Sequence, residues 1–288
     1  FFLYLPLGSP HTPIVPSPGW QGKSGLGTYG DFVMQTDNVV GEVSAALKKN
    51  GLADNTLVIF TSDNGCSKAA NIKALAEKGH LVSAHMRGSK ADIWDGGHRV
   101  PFIVRWPGKV RSGSTSDQLI CLTDLFATVS SIVGTDFPAT SCEDSVSFLP
   151  ALSGNSILSE RAGVIHHSFS GHFAYRTGKW KLILAKGSGG WSFPKEHQVP
   201  KGASKAQLYN LEADPGEQVN LYTAKPEIAE RLLAQLTAEV RRGRSTKGRD
   251  SKNDTDKIVL WKSESAAKQS QSKSDSEPAA SRKKRKKS

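Results

Sequence analysis

Four residues of this chain have types and settings that could do chemistry. Asp63 and Asn64 end the apolar run Thr56-Leu-Val-Ile-Phe-Thr-Ser62 and precede Gly65. A carboxylate and an amide oxygen are hard donors, suited to Ca²⁺ or Mg²⁺ rather than to zinc or copper. His11 lies in Pro10-His11-Thr12-Pro13, where the prolines stiffen the loop. A fixed imidazole there can pass a proton to a leaving group or hold an anion. Lys90 lies in Arg87-Gly-Ser-Lys-Ala-Asp-Ile-Trp-Asp-Gly-Gly-His-Arg-Val-Pro101, and an ammonium on a flexible stem suits a sulfate or phosphate oxygen. Gly96-Gly97 lets the backbone turn tightly beside it, and Arg99 could contact an anion or brace the loop against an acid. Singly, each has a plainer reading: Asp-Asn-Gly is a common turn, a loop histidine is often idle, and most lysines are solvated.

The elements around these residues follow from pattern. Phe1 to Leu7 is an unbroken apolar run, which suits a buried strand of a parallel sheet. Asp31 to Asn50 reads as a helix with Val33, Val40, Val43 and Leu47 along one side, Lys48 and Lys49 in its last turn and Gly51 as its stop. Thr56 to Ser62 is a second buried strand, and strand, helix, strand is the order of a βαβ unit. In such sheets ligands gather at the carboxyl ends of the strands, the edge where both His11 and Asp63 are expected. Val100 to Trp106 predicts another strand and Thr123 to Val133 a helix stopped by Gly134. Gly163 to Ser168, Ala174 to Ala185 and Gln207 to Leu211 predict a small antiparallel sheet, followed by a helix over Glu227 to Arg242. The fold expected is α/β, a mostly parallel sheet flanked by helices with a small antiparallel sheet and helix behind it. The divisions are 1–158, 159–242 and a disordered basic tail over 243–288.

Composition bounds the rest. The net charge is +11. Sixteen Lys/Arg against six Asp/Glu after residue 240 leave +1 for everything before, so the basic character belongs to the tail. Its last run, Arg282 to Lys287, lacks interleaved aromatics and reads as non-specific attraction to polyanions rather than a specific nucleic-acid site. Three cysteines without a Cys-x-x-Cys make neither a disulfide framework nor a zinc site. One disulfide could form, but buried free thiols are the expected state, and no apolar run has the length of a membrane span. His166-His167 sit adjacent on a strand and so point to opposite faces, which argues against joint metal ligation.

Read together, Pro10-His11-Thr12-Pro13, Gly30-Asp31-Phe32-Val33, Asp54 to Gly65 and Gly96-Gly97-His98-Arg99-Val100-Pro101, in this order and spacing, resemble the arylsulfatase family of the alkaline-phosphatase superfamily. Gly178 to Ile183 and Leu208 to Glu217 resemble that family's C-terminal subdomain, so the resemblance spans about residues 1 to 240. It implies a sulfatase that hydrolyses sulfate esters of small molecules or carbohydrates with one calcium ion and a formylglycine nucleophile. By the same resemblance Asp63 and Asn64 are calcium ligands, Lys90 binds the sulfate, and His11 contacts the sulfate and protonates the leaving alcohol. It also implies a periplasmic or secreted enzyme.

The family's Cys/Ser-x-Pro/Ala-x-Arg nucleophile motif does not occur at Cys66, Cys121 or Cys142, and the first acidic pair of calcium ligands is missing too. Both would precede Phe1, so the chain is expected to be an N-terminally truncated piece that binds calcium poorly and turns over nothing by itself. Two alternatives share the pattern: a phosphodiesterase or phosphonate hydrolase of the same superfamily, and a non-catalytic polyanion-binding protein on the same fold.

Overall fold

The computed structural model describes residues 1–262 apart from 139 and 158–160. Helix α1 runs Thr28–Lys49. Its N-terminus is pinned by Asp31, whose carboxylate accepts the backbone N–H of Ser24 at 2.8 Å, the Ser24 hydroxyl at 2.7 Å and the Gly22 N–H at 2.8 Å. Those bonds, led by the Ser24 N–H, hold the carboxyl below its usual range. Strand β1 (Val58–Thr61) pairs antiparallel with β2 (Phe102–Arg105), Val58 opposite Arg105 and Thr61 opposite Phe102. Between them lie two short helices, α2 (Ile72–Glu77) and α3 (Asp95–His98). Helix α4 (Asp124–Val133) ends on Gly134 in the left-handed conformation, φ 68°, followed by the one-turn α5 (Leu149–Leu152).

A four-stranded antiparallel sheet follows, in sequential order β3 (Val164–His167), β4 (Phe173–Thr177), β5 (Trp180–Ile183) and β6 (Gln207–Asn210). Successive residues of a strand face opposite sides, and here both sides are buried. Ala174, Ile183 and Tyr209 pack with Ile93 and Trp94 on one face. Tyr175, Leu182 and Leu208 pack on the other against α6 (Pro226–Arg242), through Ala229, Leu232 and Leu236. Pro226 opens that helix and Gly243, at φ 66°, stops it.

The chain is α/β, but three expectations change. Among the described residues every strand pair is antiparallel, so the mostly parallel sheet is not found. An unbroken apolar run signals burial on both faces, not the direction of pairing. Phe1 to Leu7 forms no strand, its backbone pairs with no strand among the described residues, and its side chains are exposed, 84% at Phe1 and 82% at Phe2. Residues 243–262, expected to be disordered, are tied down instead. Ser245 N–H donates to Asp144 Oδ1 at 2.9 Å, Thr246 Oγ1 to the Glu143 carbonyl at 2.7 Å, and Asn253 Nδ2 to the last-turn carbonyls of α6 at 3.0 and 3.1 Å. Leu260 and Trp261 return to the apolar face of α6 and the sheet. The Arg282 to Lys287 run lies outside the described residues. All three thiols are free and half-buried.

Among the described residues, buried ion pairs around Arg161 and around Lys181 tie these pieces together. Arg161 grips Asp124 with two hydrogen bonds, 2.5 and 2.7 Å. Lys181, wholly buried on β5, sits between Asp95 Oδ1 at 2.7 Å and Glu217 Oε1 at 2.8 Å. Burial pushes the Asp95 carboxyl up, but Lys181, Arg176 and Arg99 outweigh it and hold it below the carboxylate range. Burial raises Glu217 more than Lys181 lowers it. Beside this network the rings of His98 and His166 meet at 4.4 Å, each with a buried Nε2 that finds no partner among the described residues. His167 faces the other way, edge-on to Phe173 at 4.2 Å.

Lys181→Met would leave two carboxylates buried without their cation, so denaturant titration should show a loss of about 3–5 kcal/mol. Lys179→Met, which removes the surface pair to Glu212 with side chains 49% and 73% exposed, should cost less than about 1 kcal/mol. Burial, with Lys181 next, lowers the His98 pKa from 6.5 to about 4 and that of His166 well below its usual value. The unfolded chain therefore binds more protons once the pH falls below the ordinary histidine value. Stability should be fully present above pH 6.5 and fall as the pH drops from there towards 4, by up to about 1.4 kcal/mol per pH unit per histidine. Thermal melts at intervals through that window should show the slope reduced in His98→Gln; an unchanged slope would contradict the assignment.

Candidate active site

The turn that ends β1 is pressed against the loop that carries Lys90. Gly65 N–H donates to the Gly97 carbonyl at 3.0 Å, and a Cβ on Gly65 would stand 1.9 Å from the Gly96 carbonyl oxygen, so only glycine permits this approach. Gly96 is as confined: its N–H donates to the Arg87 carbonyl at 2.7 Å, and a Cβ there would meet the Gly88 oxygen at 2.3 Å. One residue beyond the turn, the Cys66 carbonyl accepts the Lys90 N–H at 2.9 Å. The turn that follows Asp63 and Asn64 is thus held against the Lys90 loop by backbone bonds.

Their side chains remain available. Asp63 is exposed. Asn64 Nδ2 donates to the Gly65 carbonyl at 3.0 Å, which leaves its Oδ1 as an acceptor. Lys90 is half-buried, and among the described residues its ammonium has no carboxylate within salt-bridge distance. Arg99 braces an acid, adding to the positive field on Asp95. No group of three or more His, Cys, Asp or Glu side chains able to hold a metal occurs among the described residues. Asp63 and Asn64 suit calcium by donor chemistry, yet two ligands fall short of the about six to eight that calcium takes.

His11 is not drawn into this group. Its Nδ1 lies 2.8 Å from the Thr12 carbonyl, its ring is exposed, and no hydrogen bond joins its loop to Asp63 or Lys90 among the described residues. The two regions share a neighbour in α1. Thr36 Oγ1 donates to Ser9 Oγ at 2.9 Å, while the Cys66 thiol donates to the Tyr29 hydroxyl at 3.3 Å. Tyr29 and Thr36 are two turns apart on one face of the helix. Burial, then the Cys66 contact, pushes the Tyr29 hydroxyl well up, so it stays neutral.

Sequence reasoning missed Asp92, which locks the Lys90 loop. It accepts the N–H of Ser89 at 2.8 Å, of Trp191 at 2.9 Å and of Ser192 at 2.8 Å, with a short bond from the Ser192 hydroxyl. Ile93 N–H donates to the Ser188 carbonyl at 2.8 Å. It missed Lys181 and Glu217 as well. A lysine inside the apolar strand Trp180-Lys-Leu-Ile was the available signal, since an interior charge needs a partner.

Residues 1–135 match the family described as Sulfatase, and residues 88–245 match N-sulphoglucosamine sulphohydrolase, C-terminal. An N-acetylgalactosamine-6-O-sulfatase of Bacteroides thetaiotaomicron is 34% identical over 244 residues, 84% of this chain and 47% of that protein. Human N-acetylgalactosamine-6-sulfatase is 31% identical over 258 residues, 83% of this chain and 47% of that protein. A solved structure from work on the metabolism of multiple glycosaminoglycans by Bacteroides thetaiotaomicron superposes with TM-score 0.69 at 32% identity, over 81% of this chain and 48% of that one. The chain therefore spans about half the length of the relatives it matches. With the Asp63 turn and the Lys90 loop inside the first matched region and the sheet beneath them inside the second, the chain belongs to the sulfatase family of the alkaline-phosphatase-like superfamily.

Proposed function

We propose that this chain supplies part of the active site of a sulfatase that hydrolyses sulfate esters of carbohydrates. The observation that supports the reading is the backbone clamp that holds the turn after Asp63 and Asn64 against the loop of Lys90, whose ammonium has no salt-bridge partner among the described residues. Lys90 binds and orients the sulfate oxygens. Asp63 and Asn64 give two oxygens to a calcium ion, which when bound adds positive charge at the sulfate. His11 gives a proton to the leaving alcohol oxygen. With Nδ1 turned to the Thr12 carbonyl, Nε2 is the atom that delivers it.

The nucleophile, a formylglycine in this reading, and the remaining calcium ligands come from residues outside these 288. The relatives named for N-acetylgalactosamine 6-sulfate support a sulfated amino sugar as substrate. An extracytoplasmic location belongs to the same reading, as does loose polyanion contact by the basic tail.

The test is sulfate release by the complete open reading frame that contains this chain, assayed on N-acetylgalactosamine 6-sulfate and on an aryl sulfate with and without a calcium chelator. Lys90→Ala should reduce turnover roughly 10²–10³-fold. His11→Ala should cost the sugar sulfate more than the aryl sulfate, because a phenolate leaves without a proton and an alkoxide does not. A reading frame with no Cys/Ser-x-Pro/Ala-x-Arg motif and no sulfate release would overturn the proposal. Calcium titration of the same protein should show Gly65→Ala weakening binding as Asp63→Ala does, since the added methyl pushes the turn off Gly96; wild-type affinity in Gly65→Ala would show that the clamp does not set the metal site.

A further inference from the structure

The residue after Lys90 is held in an unusual way. Ala91 has φ 79°, a left-handed conformation that alanine seldom adopts. Two strands of loop fix it there. The Phe169 N–H donates to the Ala91 carbonyl at 2.9 Å. Gly190 packs so closely that a Cβ on it would stand 2.2 Å from the same oxygen. Asp92 then takes the N–H groups of Trp191 and Ser192. The loop after β3 and the loop after β5 are therefore both docked onto the segment that carries Lys90.

What those loops present is aromatic. The rings of Phe169 and Trp191 meet at 5.6 Å, inclined by 54°. Phe169 is 57% exposed. Trp191 is half-buried. Its carbonyl accepts a short hydrogen bond from the ammonium of Lys68, which places a second cation at this edge. An aromatic pair with one ring exposed and one half-buried, fixed through its backbone to the Lys90 loop and with Lys68 at its edge, combines a flat apolar wall with positive charge.

We infer that Phe169 and Trp191 form the wall against which the pyranose ring of a sulfated sugar packs while its sulfate reaches Lys90. The axial C–H groups of a pyranose make one face of the ring apolar, and that face fits an aromatic surface. The hydroxyl edges stay in water and the anion meets the two ammonium groups. This rests on the sulfatase reading and adds to it the residues that choose a sugar over a bare sulfate.

Ligand-detected NMR titration of the 288-residue chain with N-acetylgalactosamine 6-sulfate, and separately with inorganic sulfate, tests it. Trp191→Ala and Phe169→Ala, checked for wild-type melting temperature, should each weaken the sugar sulfate about tenfold and leave inorganic sulfate unchanged. In the wild type, saturation should pass from aromatic protons to the sugar ring protons. Sugar-sulfate affinity at the wild-type level in the double variant would overturn the wall while leaving the sulfatase reading standing. Lys90→Ala should weaken both ligands. If neither ligand responds to it, or neither binds the wild-type chain, the sulfate site fails and the wall fails with it.

Discussion

A lysine ammonium cannot be left in a protein interior without a counter-charge, and Lys181 is wholly enclosed. Its partners come from far along the chain: Asp95 from the one-turn helix after the Lys90 loop, and Glu217 from the segment after β6. Glu217 also accepts the Asp95 backbone N–H at 2.7 Å, so the carboxylate that neutralises the lysine holds the helix start as well. Arg87 extends the network. Its guanidinium stacks on Trp94 at 3.7 Å and donates to the Glu217 carbonyl at 2.8 Å. The segment from Arg87 to His98 thus has one place to sit on the sheet. Moving it would strand three buried charges.

That constraint is what gives the glycines their meaning. With residues 87–98 fixed from below, the turn that ends β1 can approach only where Gly65 and Gly96 leave space. The approach decides how Asp63 and Asn64 stand relative to Lys90. From the side, Asp92 gathers the loop after β5 by two N–H groups, those of Trp191 and Ser192, and accepts a third from Ser89 in its own loop. None of these bonds uses a side chain that would touch a substrate. The chemistry-bearing groups are carried on backbone whose position is set by buried acids, so they remain free to bind something else.

Much of this was legible in sequence, unevenly. The ends of α4 and α6 were readable because Gly134 and Gly243 adopt the left-handed conformation that stops a helix. The antiparallel sheet over residues 164–210 followed from short runs separated by turns. The motifs at Asp63 and Lys90 were readable as candidates, and their proximity follows from the Gly65 and Cys66 backbone bonds. Pairing direction was not readable, since Val58–Thr61 is equally apolar beside a parallel or an antiparallel partner. Nor were the ion pairs. Lys181 lies 86 positions from Asp95 and Trp191 lies 99 from Asp92, and no local pattern encodes such distances. The order of residues 243–262 was hidden for the same reason, as the groups that hold them belong to α6 and to Glu143–Asp144.

The same charge logic separates the structural cations from the one proposed to bind sulfate. Arg161 and Lys181 lie deep, and each meets carboxylate oxygens at 2.5 to 2.8 Å. Their desolvation is offset inside the molecule. Lys90 is half-buried, with its backbone anchored to Cys66 and no salt-bridge partner among the described residues. A cation that gives up part of its water without an internal anion is stabilised by an anion from outside, and it attracts one along a surface where Lys68 adds to the field. Asp63 is the complementary case, an exposed carboxylate with no salt-bridge partner among the described residues. Had the two closed into a salt bridge, the site would have neutralised itself. Among the described residues neither is spent on the other, and in the proposed reading the carboxylate is left for a cation and the ammonium for an anion.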